Sequence, residues 1–310
     1  MPSNDLSTSG RPSRRAILLG GLGVAVVGGA AGGYELVQRG VLPGKYALAR
    51  LDGACGGPPP RPRGALPVQR EVTFYSAYRR REVTMVTLIP AGLSSPAGLG
   101  VIIGLHGAYA DARSLASQLR PAMTAAGITR LAAVTVDGAN AYWHKRADGD
   151  DPVGMIVHEV LPRLAAAGAL TGRISIAGES MGGYGALLVA EQLAGREPVI
   201  AAVAALSPAI FASYADAKAA NVTSFDSPAD FSRHNVLAGL AALRGVPTWI
   251  GCGTDDPFEP AVSDLRRRLA AVIGHEPPGG TLPGCHDDAF FGRNLPAALT
   301  FLAAKTEEGR

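Results

Sequence analysis

Ser180 lies in a sequence setting that favours nucleophilic chemistry. A short apolar run ends at Gly178-Glu179-Ser180-Met181-Gly182, and a helix rich in small residues is predicted to begin directly after it. Glycines on both sides of the serine let a strand and a helix approach closely around a strained residue, which holds the hydroxyl above the sheet edge. The pattern predicts a nucleophile elbow, with an incidental serine in a tight turn as the alternative.

A serine hydroxyl is a weak nucleophile until a base removes its proton, and the usual base is a histidine held by an acid. Of the six histidines, His286 lies just after the last predicted strand and before the closing helix, so it is the expected base. The acid is expected after the preceding strand, where Asp255 and Asp256 compete. We favour Asp256, three residues after Gly253, and expect Asp255 to bond to the backbone of its own turn.

Acyl transfer also needs two N–H donors for the oxyanion that forms on the substrate. The N–H of Met181, directly after the serine, is one of them. The second is expected from the loop that begins at His106, with Ala108 or Tyr109 as the donor. We expect His106 to brace this loop, and contact between His106 and the substrate is the alternative.

Tyr142 and Trp143 follow another predicted strand in a polar, aromatic loop. Together with His106 they are the candidates for the substrate pocket, where they would wall an acyl or aromatic group. Packing of Trp143 in the core is the alternative.

The elements that must position these residues alternate between strands and helices. Alternating runs predict strands at residues 71–76 and 81–89, paired as an antiparallel hairpin. Further strands are predicted at residues 101–105, 131–136, 173–177, 199–206, 246–252 and 280–282. Helices are predicted at residues 112–126, 153–167, 183–194, 261–272 and 287–304. This order predicts an α/β fold with a mostly parallel sheet covered by helices on both faces, and a small, partly helical cap insertion at about residues 209–243. The site is expected at the carboxyl ends of the strands.

Composition excludes several classes of function. The 310 residues carry a net charge of +3, and their Lys and Arg are scattered rather than clustered, so no nucleic-acid partner is expected. The three cysteines fit no zinc-ligand spacing. We expect no metal and no cofactor, and a small-molecule, lipid or carbohydrate ester as the substrate.

The first 40 residues have the pattern of an export segment. Arg14-Arg15 followed by an apolar, glycine-rich run resembles a twin-arginine signal. We expect an exported protein, secreted or associated with the cell envelope. Retention of this segment as a membrane anchor is left open.

Residues 41–68 are rich in Pro, Gly and Arg and predict an extended linker, after which a catalytic domain spans residues 69–305.

Residues 72–303 resemble the α/β-hydrolase superfamily, and most closely its esterase D-like branch of feruloyl and acetylxylan esterases and actinobacterial mycolyltransferases. The resemblance is carried by Leu105-His106-Gly107, by residues 178–186 and by residues 283–287, in the order Ser, Asp, His. It implies Ser180 as nucleophile, His286 as base and Asp256 as the orienting acid. The acid in this position is Asp rather than Glu, which fits the esterases better than the mycolyltransferases.

The function predicted from these residues is hydrolysis of carboxylic esters through an acyl-serine. The first alternative is an acyltransferase that uses a sugar or lipid hydroxyl in place of water. The second is a catalytically inactive hydrolase fold that serves as a binding protein, because a fold alone does not guarantee activity.

The last expectation concerns the cysteines. If Asp256 meets His286, the segments that carry Cys252 and Cys285 must pass close to one another, within reach of a disulfide. We predict a Cys252–Cys285 disulfide, with Cys55 free in the linker. The alternatives are two buried thiols, or a bond between Cys55 and one of them.

Overall fold

The computed structural model describes residues 45–308. The chain divides between Asp52 and Gly53 into two units. The described part of the first unit is one helix, α1 (Lys45–Leu51). The predicted export segment, residues 1–40, lies outside the described residues. No helix among residues 45–308 is both long and apolar enough to cross a membrane.

Eight strands form one sheet in the second unit, in the spatial order β1-β2-β4-β3-β5-β6-β7-β8. Their bounds are β1 (Val68–Ser76), β2 (Arg81–Ile89), β3 (Gly100–Leu105), β4 (Leu131–Val136), β5 (Leu170–Glu179), β6 (Val199–Leu206), β7 (Thr248–Gly253) and β8 (Gly279–Leu282). β1 pairs antiparallel with β2, and β2 antiparallel with β4, while all the other pairs are parallel. Every residue of β3, β4 and β7 is buried, as expected for strands covered on both faces.

Helices cover both faces of the sheet. On one face lie α2 (Ala112–Ala125) and α10 (Asp288–Glu307), which share a core cluster that includes Leu119 and Leu299. The other face is covered by α3 (Pro152–Met155), a π-helical turn (Ile156–Val160), α4 (Leu161–Ala166), α5 (Met181–Leu193) and α9 (Glu259–Ile273). These elements bury a second cluster that includes Leu187 and Leu265. The predicted α/β-hydrolase architecture is confirmed.

The insertion between β6 and β7 consists of short helices. It contains α6 (Tyr214–Ala220), α7 (Pro228–Arg233), α8 (Val236–Gly239) and a 3₁₀ turn (Leu240–Leu243), and residues 209–243 include no strand. Phe211, Phe225 and Phe231 are buried and Tyr214 is half-buried. Phe225 packs edge-on against Phe231 and stacks on the ring of His144. The insertion is therefore anchored through its own aromatic core.

The segment predicted as an extended linker, residues 41–68, differs from that prediction in its described part. It contains helix α1, and Cys55 is bonded to Cys285 rather than free. The guanidinium of Arg293 in α10 donates to the carbonyl oxygens of Cys55, at 2.8 Å, and of Gly57. Covalent and hydrogen bonds thus fix residues 55–57 against the catalytic domain.

Candidate active site

Ser180 sits at a sharp turn between β5 and α5. Its φ of 54° and ψ of −118° lie in a region that non-glycine residues rarely adopt. A Cβ at position 178 would overlap the carbonyl of Gly182, and a Cβ at position 182 would overlap the carbonyl of Leu105. The two glycines of the motif are therefore required by the close approach of strand, helix and neighbouring strand, which is the expected geometry of a nucleophile elbow.

His286 bridges Ser180 and Asp256. Its Nε2 lies 2.8 Å from Ser180 Oγ, and its Nδ1 lies 2.8 Å from Asp256 Oδ2. The three residues come from the ends of β5, β7 and β8, which meet at one edge of the sheet. The structure thus brings together the three side chains that the sequence indicated as nucleophile, base and acid.

The partners of His286 determine where its proton lies. An ionised carboxylate only accepts hydrogen bonds, so Nδ1–H donates to Asp256 and Nε2 is left to accept from the Ser180 hydroxyl. The Asp256 side chain is fully buried, and its other oxygen accepts from the N–H of Phe258 at 2.8 Å. The carboxylate is held on both sides and fixes the imidazole tautomer that can receive the serine proton.

Asp255 points elsewhere. Its carboxylate accepts from the Thr254 hydroxyl at 2.9 Å, and its own N–H donates to the carbonyl of Gly284. It serves the turn, as the sequence suggested, and the structure provides no contact between its side chain and His286 among the described residues.

The loop after β3 presents its N–H groups beside Ser180. The N–H of Tyr109 donates to Asn140 Oδ1 at 2.6 Å and is therefore occupied. Within the described chain no hydrogen bond engages the N–H of Ala108 or that of Met181, the first residue of α5. Of the two loop donors that the sequence left open, Ala108 is the one that remains available for an oxyanion.

His106 is fully buried behind this loop. Its Nε2 accepts from the N–H of Gly138 at 2.8 Å, so its Nδ1–H donates to the carbonyl of Gly107 at 2.8 Å. Burial lowers the pKa of His106, which fits this neutral tautomer. The side chain braces the loop and does not line the cavity beside Ser180.

Trp143 and Tyr142 are also core residues, 0% and 3% exposed, so their assignment to the substrate pocket is corrected. The Trp143 indole packs where a Cβ on Gly138 or Gly185 would overlap it, and its N–H donates to the carbonyl of His106 at 3.3 Å. Both residues have positive φ, 56° for Trp143 and 51° for Tyr142, and the chain at this point turns back into the fold instead of along the cavity.

The disulfide joins Cys55 and Cys285, and Cys252 is a free buried thiol, so the predicted Cys252–Cys285 pairing is corrected. The expected approach of the two loops does occur, because a Cβ on Gly253 would touch the carbonyl of Gly284. The side chain of Cys252, however, belongs to the core cluster under the sheet, where burial raises the pKa of its thiol. Cys285 instead meets the segment that precedes β1.

A cavity of about 550 Å³ opens beside Ser180 and His286. Its walls come from the loop after β3, from Ser117 and Gln118 of α2, from Glu179, and from the start of α10. Glu179 is 4% exposed, accepts from the Gln118 amide at 3.3 Å, and has a second oxygen, Oε2, with no hydrogen-bond partner among the described residues. Burial, and then the charge of Asp288, raise the pKa of Glu179 to about 8.

Sequence reasoning missed three residues of this site. Glu179 stood inside the motif, but only the structure shows that its carboxyl is buried at the cavity wall. Asn140, which occupies the Tyr109 N–H, and Gln118, which contacts Glu179, belong to loops and helices far away in sequence. No local pattern marks such partners, because they are defined by tertiary contact.

Two groups of side chains in the described chain have metal-ligand spacing: Cys55, Cys285 and Asp287, and His144, Asp230 and His234. The cysteines of the first group are joined in the disulfide and are not thiolate ligands. In the second group, the Asp230 carboxylate already accepts from the Asp226 N–H at 2.9 Å and from Arg233 at 3.3 Å. Neither group is arranged as an open metal site.

A family model described as "Putative esterase" matches residues 76–276, about two thirds of the chain, which includes Ser180 and Asp256 and ends before His286. No protein of curated function matches the sequence.

Solved structures share the fold at low sequence identity. A ferulic acid esterase is 19% identical with a TM-score of 0.62, over 77% of this chain and 98% of that one. The serine hydrolase FphF of Staphylococcus aureus, described as fluorophosphonate-binding, is 18% identical with a TM-score of 0.62, over 77% and 99%. An S-formylglutathione hydrolase from Agrobacterium tumefaciens is 17% identical with a TM-score of 0.61, over 79% and 98%.

Proposed function

The chain belongs to the esterase family, and we propose that it hydrolyses carboxylic esters through an acyl-serine intermediate on Ser180. The observation that carries the proposal is the unbroken chain of hydrogen bonds from Ser180 through His286 to the buried Asp256, both at 2.8 Å. The elbow presents the serine at the wall of a cavity, near the N–H groups of Ala108 and Met181, which make no hydrogen bond within residues 45–308. This combination supplies nucleophile, base and oxyanion donors at one point.

In the first half of the reaction the enzyme acquires the acyl group. His286 Nε2 takes the Ser180 proton as Oγ attacks the ester carbonyl, and the carbonyl oxygen becomes an oxyanion that accepts from the N–H groups of Met181 and Ala108. The tetrahedral intermediate then collapses. The bond to the alcohol oxygen breaks, and His286 delivers its proton to that oxygen, which leaves as the free alcohol.

In the second half water replaces the alcohol. His286 removes a proton from water as the water oxygen attacks the acyl carbon, and the same N–H donors stabilise the second oxyanion. Collapse returns the proton from His286 to Ser180 Oγ and releases the carboxylic acid. Asp256 keeps its charge throughout and stabilises the imidazolium that forms in each half.

The test is replacement of Ser180 by Ala, measured with p-nitrophenyl esters and with a fluorophosphonate label. Ser180→Ala should abolish labelling and reduce kcat by at least ~10³-fold, and His286→Ala should do about the same. The double variant should lose little more than either single one, since the two side chains act as a unit. Losses that multiply in the double variant, or a labelled Ser180→Ala protein, would refute the proposal.

We infer small-molecule esters as the substrate class, and membership of the esterase family and the cavity beside Ser180 support this. Transfer to a sugar or lipid hydroxyl, and an inactive binding fold, are not favoured by a match to an esterase family.

We also propose that the protein is exported, as the twin-arginine-like segment suggests. The Cys55–Cys285 disulfide supports this, because such bonds persist in oxidising compartments and are rare in the cytosol. Replacing Arg14 and Arg15 together by Lys should retain the protein inside the cell, as measured by cell fractionation. Unchanged export of that variant would reject a twin-arginine route.

A further inference from the structure

A second cavity lies beside the catalytic one. It is a groove of about 360 Å³ between α2 and α10, covered on one side by residues 58–60, and we call it the α2–α10 groove. Ser117, Gln118 and Asp288 line both this groove and the catalytic cavity, so the two are adjoining spaces. Its remaining lining consists of five prolines, three alanines, Gly292 and Arg293.

The polar and apolar parts of the groove are separated along the helices. On α2 the lining residues run from Ser117 and Gln118 through Pro121 and Ala122 to Ala125, and on α10 from Asp288 to Pro296. Apart from Arg293, whose guanidinium donates to the carbonyls of Cys55 and Gly57, both series run from polar residues at the catalytic end to alanine and proline at the far end. Each series covers about two turns, which is ~12 Å at a rise of ~1.5 Å per residue.

The groove is preformed and rigid. Pro121 and Pro296 both lie inside their helices, where proline is disfavoured, and both line the groove. Proline side chains have almost no rotamer freedom to lose, so an apolar ligand would bind without ordering the wall. These prolines do not stabilise their helices, but they do give the groove a fixed apolar wall.

The cover of the groove is anchored beside the catalytic base. Cys55 is bonded to Cys285, the residue before His286, and Arg293 donates to the carbonyls of Cys55 and Gly57. Pro59 lies directly over Gly292, where a Cβ would come within 2.7 Å of its ring. The segment 55–60 is thus fixed at three points in the position that closes the groove.

We propose that the α2–α10 groove binds an apolar chain of the ester substrate, with the ester group at Ser180. The inference rests on the proposed ester hydrolysis and specifies its substrate class. The shared lining identifies the occupant, because a chain attached to an ester at Ser180 reaches the groove by displacing only the long, 3.5 Å hydrogen bond that the Gln118 amide donates to Asp288 between the two spaces. An extended chain advances ~1.2 Å per bond, so a groove of ~12 Å holds about ten carbons.

The experiment measures kcat/KM for two homologous series on the full chain: p-nitrophenyl esters with acyl chains of two to twelve carbons, and acetate esters of alcohols of the same lengths. One series should rise by up to ~fourfold per added methylene and level off near ten carbons, which is the gain expected for burying methylenes. The series that rises identifies the chain as acyl or alcohol. If neither rises while acetate esters are still hydrolysed, the groove proposal fails and the esterase proposal stands.

Groove variants locate the effect. Ala289→Trp fills the groove near its catalytic end and should lower the ratio of long-chain to acetate kcat/KM at least ~tenfold, since most of the buried methylenes are displaced. Ala125→Trp, at the far end, should lower the chain length at which kcat/KM is highest. The ratio of medium-chain to acetate kcat/KM should stay close to that of wild type. The matched control is Ala297→Trp, on the same helix but exposed and outside the groove, which should behave as wild type.

The outcomes are distinguishable. Equal chain-length profiles for Ala289→Trp, Ala125→Trp and wild type would overturn the proposal. Hydrolysis of acetate esters and fluorophosphonate labelling report that each variant is folded around Ser180. Absence of both in wild type would refute the proposed function rather than the groove.

Discussion

Asp255 and Asp256 are adjacent in sequence, and only one of them contacts the base. Asp256 is buried against His286 Nδ1, whereas Asp255 bonds to Thr254 in its own turn. Asp256→Asn should reduce kcat by roughly 10²–10⁴-fold, because an amide supports the wrong imidazole tautomer. Asp255→Asn should stay within about threefold of wild type, since a change limited to a turn bond leaves the catalytic geometry intact. Steady-state kinetics on p-nitrophenyl acetate measure both.

Circular dichroism should show that both variants remain folded. A larger loss from Asp255→Asn than from Asp256→Asn would reverse the assignment of the two carboxylates.

Glu179 gives the site a pH dependence on its alkaline side. Its pKa is raised to about 8 by burial and by Asp288, so the carboxyl is mostly neutral at pH 7 and ionises as the pH passes 8. A negative charge next to Ser180 opposes the developing oxyanion, so kcat/KM should fall through this range. Glu179→Gln replaces the carboxyl by an amide of the same shape that cannot ionise, so the kcat/KM of this variant should stay high to a higher pH. The measurement is kcat/KM from pH 6 to 10, corrected for uncatalysed hydrolysis.

The control for this prediction is Glu191→Gln. Glu191 is half-buried and its pKa is also raised by burial, but it lies near the end of α5 and does not line the cavity. The decline should persist in that variant. An identical decline in Glu179→Gln would show that another group is responsible.

At the level of single residues, the sequence identified the three side chains that the structure brings together, because motif spacing and chain order limit the choices for nucleophile, acid and base. It could not identify Asn140 or Gln118, whose roles arise from contacts across the fold. It also placed Trp143 and Tyr142 at a pocket wall, since loop residues after a strand usually face the site. Their left-handed backbone turns them into the core instead.

At the level of elements, the strands were the most predictable part of the molecule. β2, β4 and β6 match their predicted bounds. For β4 and β6 the reason is that a strand covered on both faces needs a continuous apolar run, whereas β2 is marked by its alternating pattern. Arg79 shows the limit of the same reasoning. It lies in a turn that looks solvated in sequence, yet it is 1% exposed and forms an ion pair with Asp150. Asp150, which is distant in sequence, pairs with the buried guanidinium, and no local sequence pattern indicates that contact.

Glu191, in helix α5, makes the stability of the protein depend on pH. Burial raises the pKa of this carboxyl to about 9, and its Oε1 has no hydrogen-bond partner in the described chain. The folded pKa exceeds the unfolded value, so the folded state holds the proton more tightly. The stabilisation is fully present below the unfolded pKa, ~4.3, and is lost as the pH rises towards 9.

Glu191→Gln should therefore become more stable than wild type as the pH rises. The difference in Tm between the variant and wild type should be small at pH 5 and grow to several °C at pH 9, a shift of the size that ~1 kcal/mol produces. Thermal unfolding followed by circular dichroism at both pH values measures it. The exposed Glu307→Gln serves as the control and should show no such trend. A constant difference between pH 5 and pH 9 would contradict the assigned ionisation.

At the scale of the whole molecule, the disulfide connects parts of the chain that sequence reasoning treated separately. It spans 230 residues, from the Pro- and Gly-rich segment before β1 to the residue before His286. The sequence could not reveal this pairing, because the path of a segment without periodic structure is set by what it packs against. Here the segment packs across α10, held by Arg293, and the bond closes almost the full length of the catalytic domain.

Loss of this bond should destabilise the whole domain. Cys55→Ser should lower the free energy of unfolding by about 2–4 kcal/mol, because the unfolded chain regains the freedom that a long closed loop removes. The measurement is denaturant unfolding with and without reductant. Wild type and Cys252→Ala should both lose stability on reduction, whereas Cys55→Ser should not respond, since it has no bond left to break.

Mass spectrometry of a non-reduced digest should yield a linked pair of peptides containing Cys55 and Cys285, with Cys252 free. A linked Cys252, or a reductant response that disappears in Cys252→Ala and persists in Cys55→Ser, would restore the other pairing.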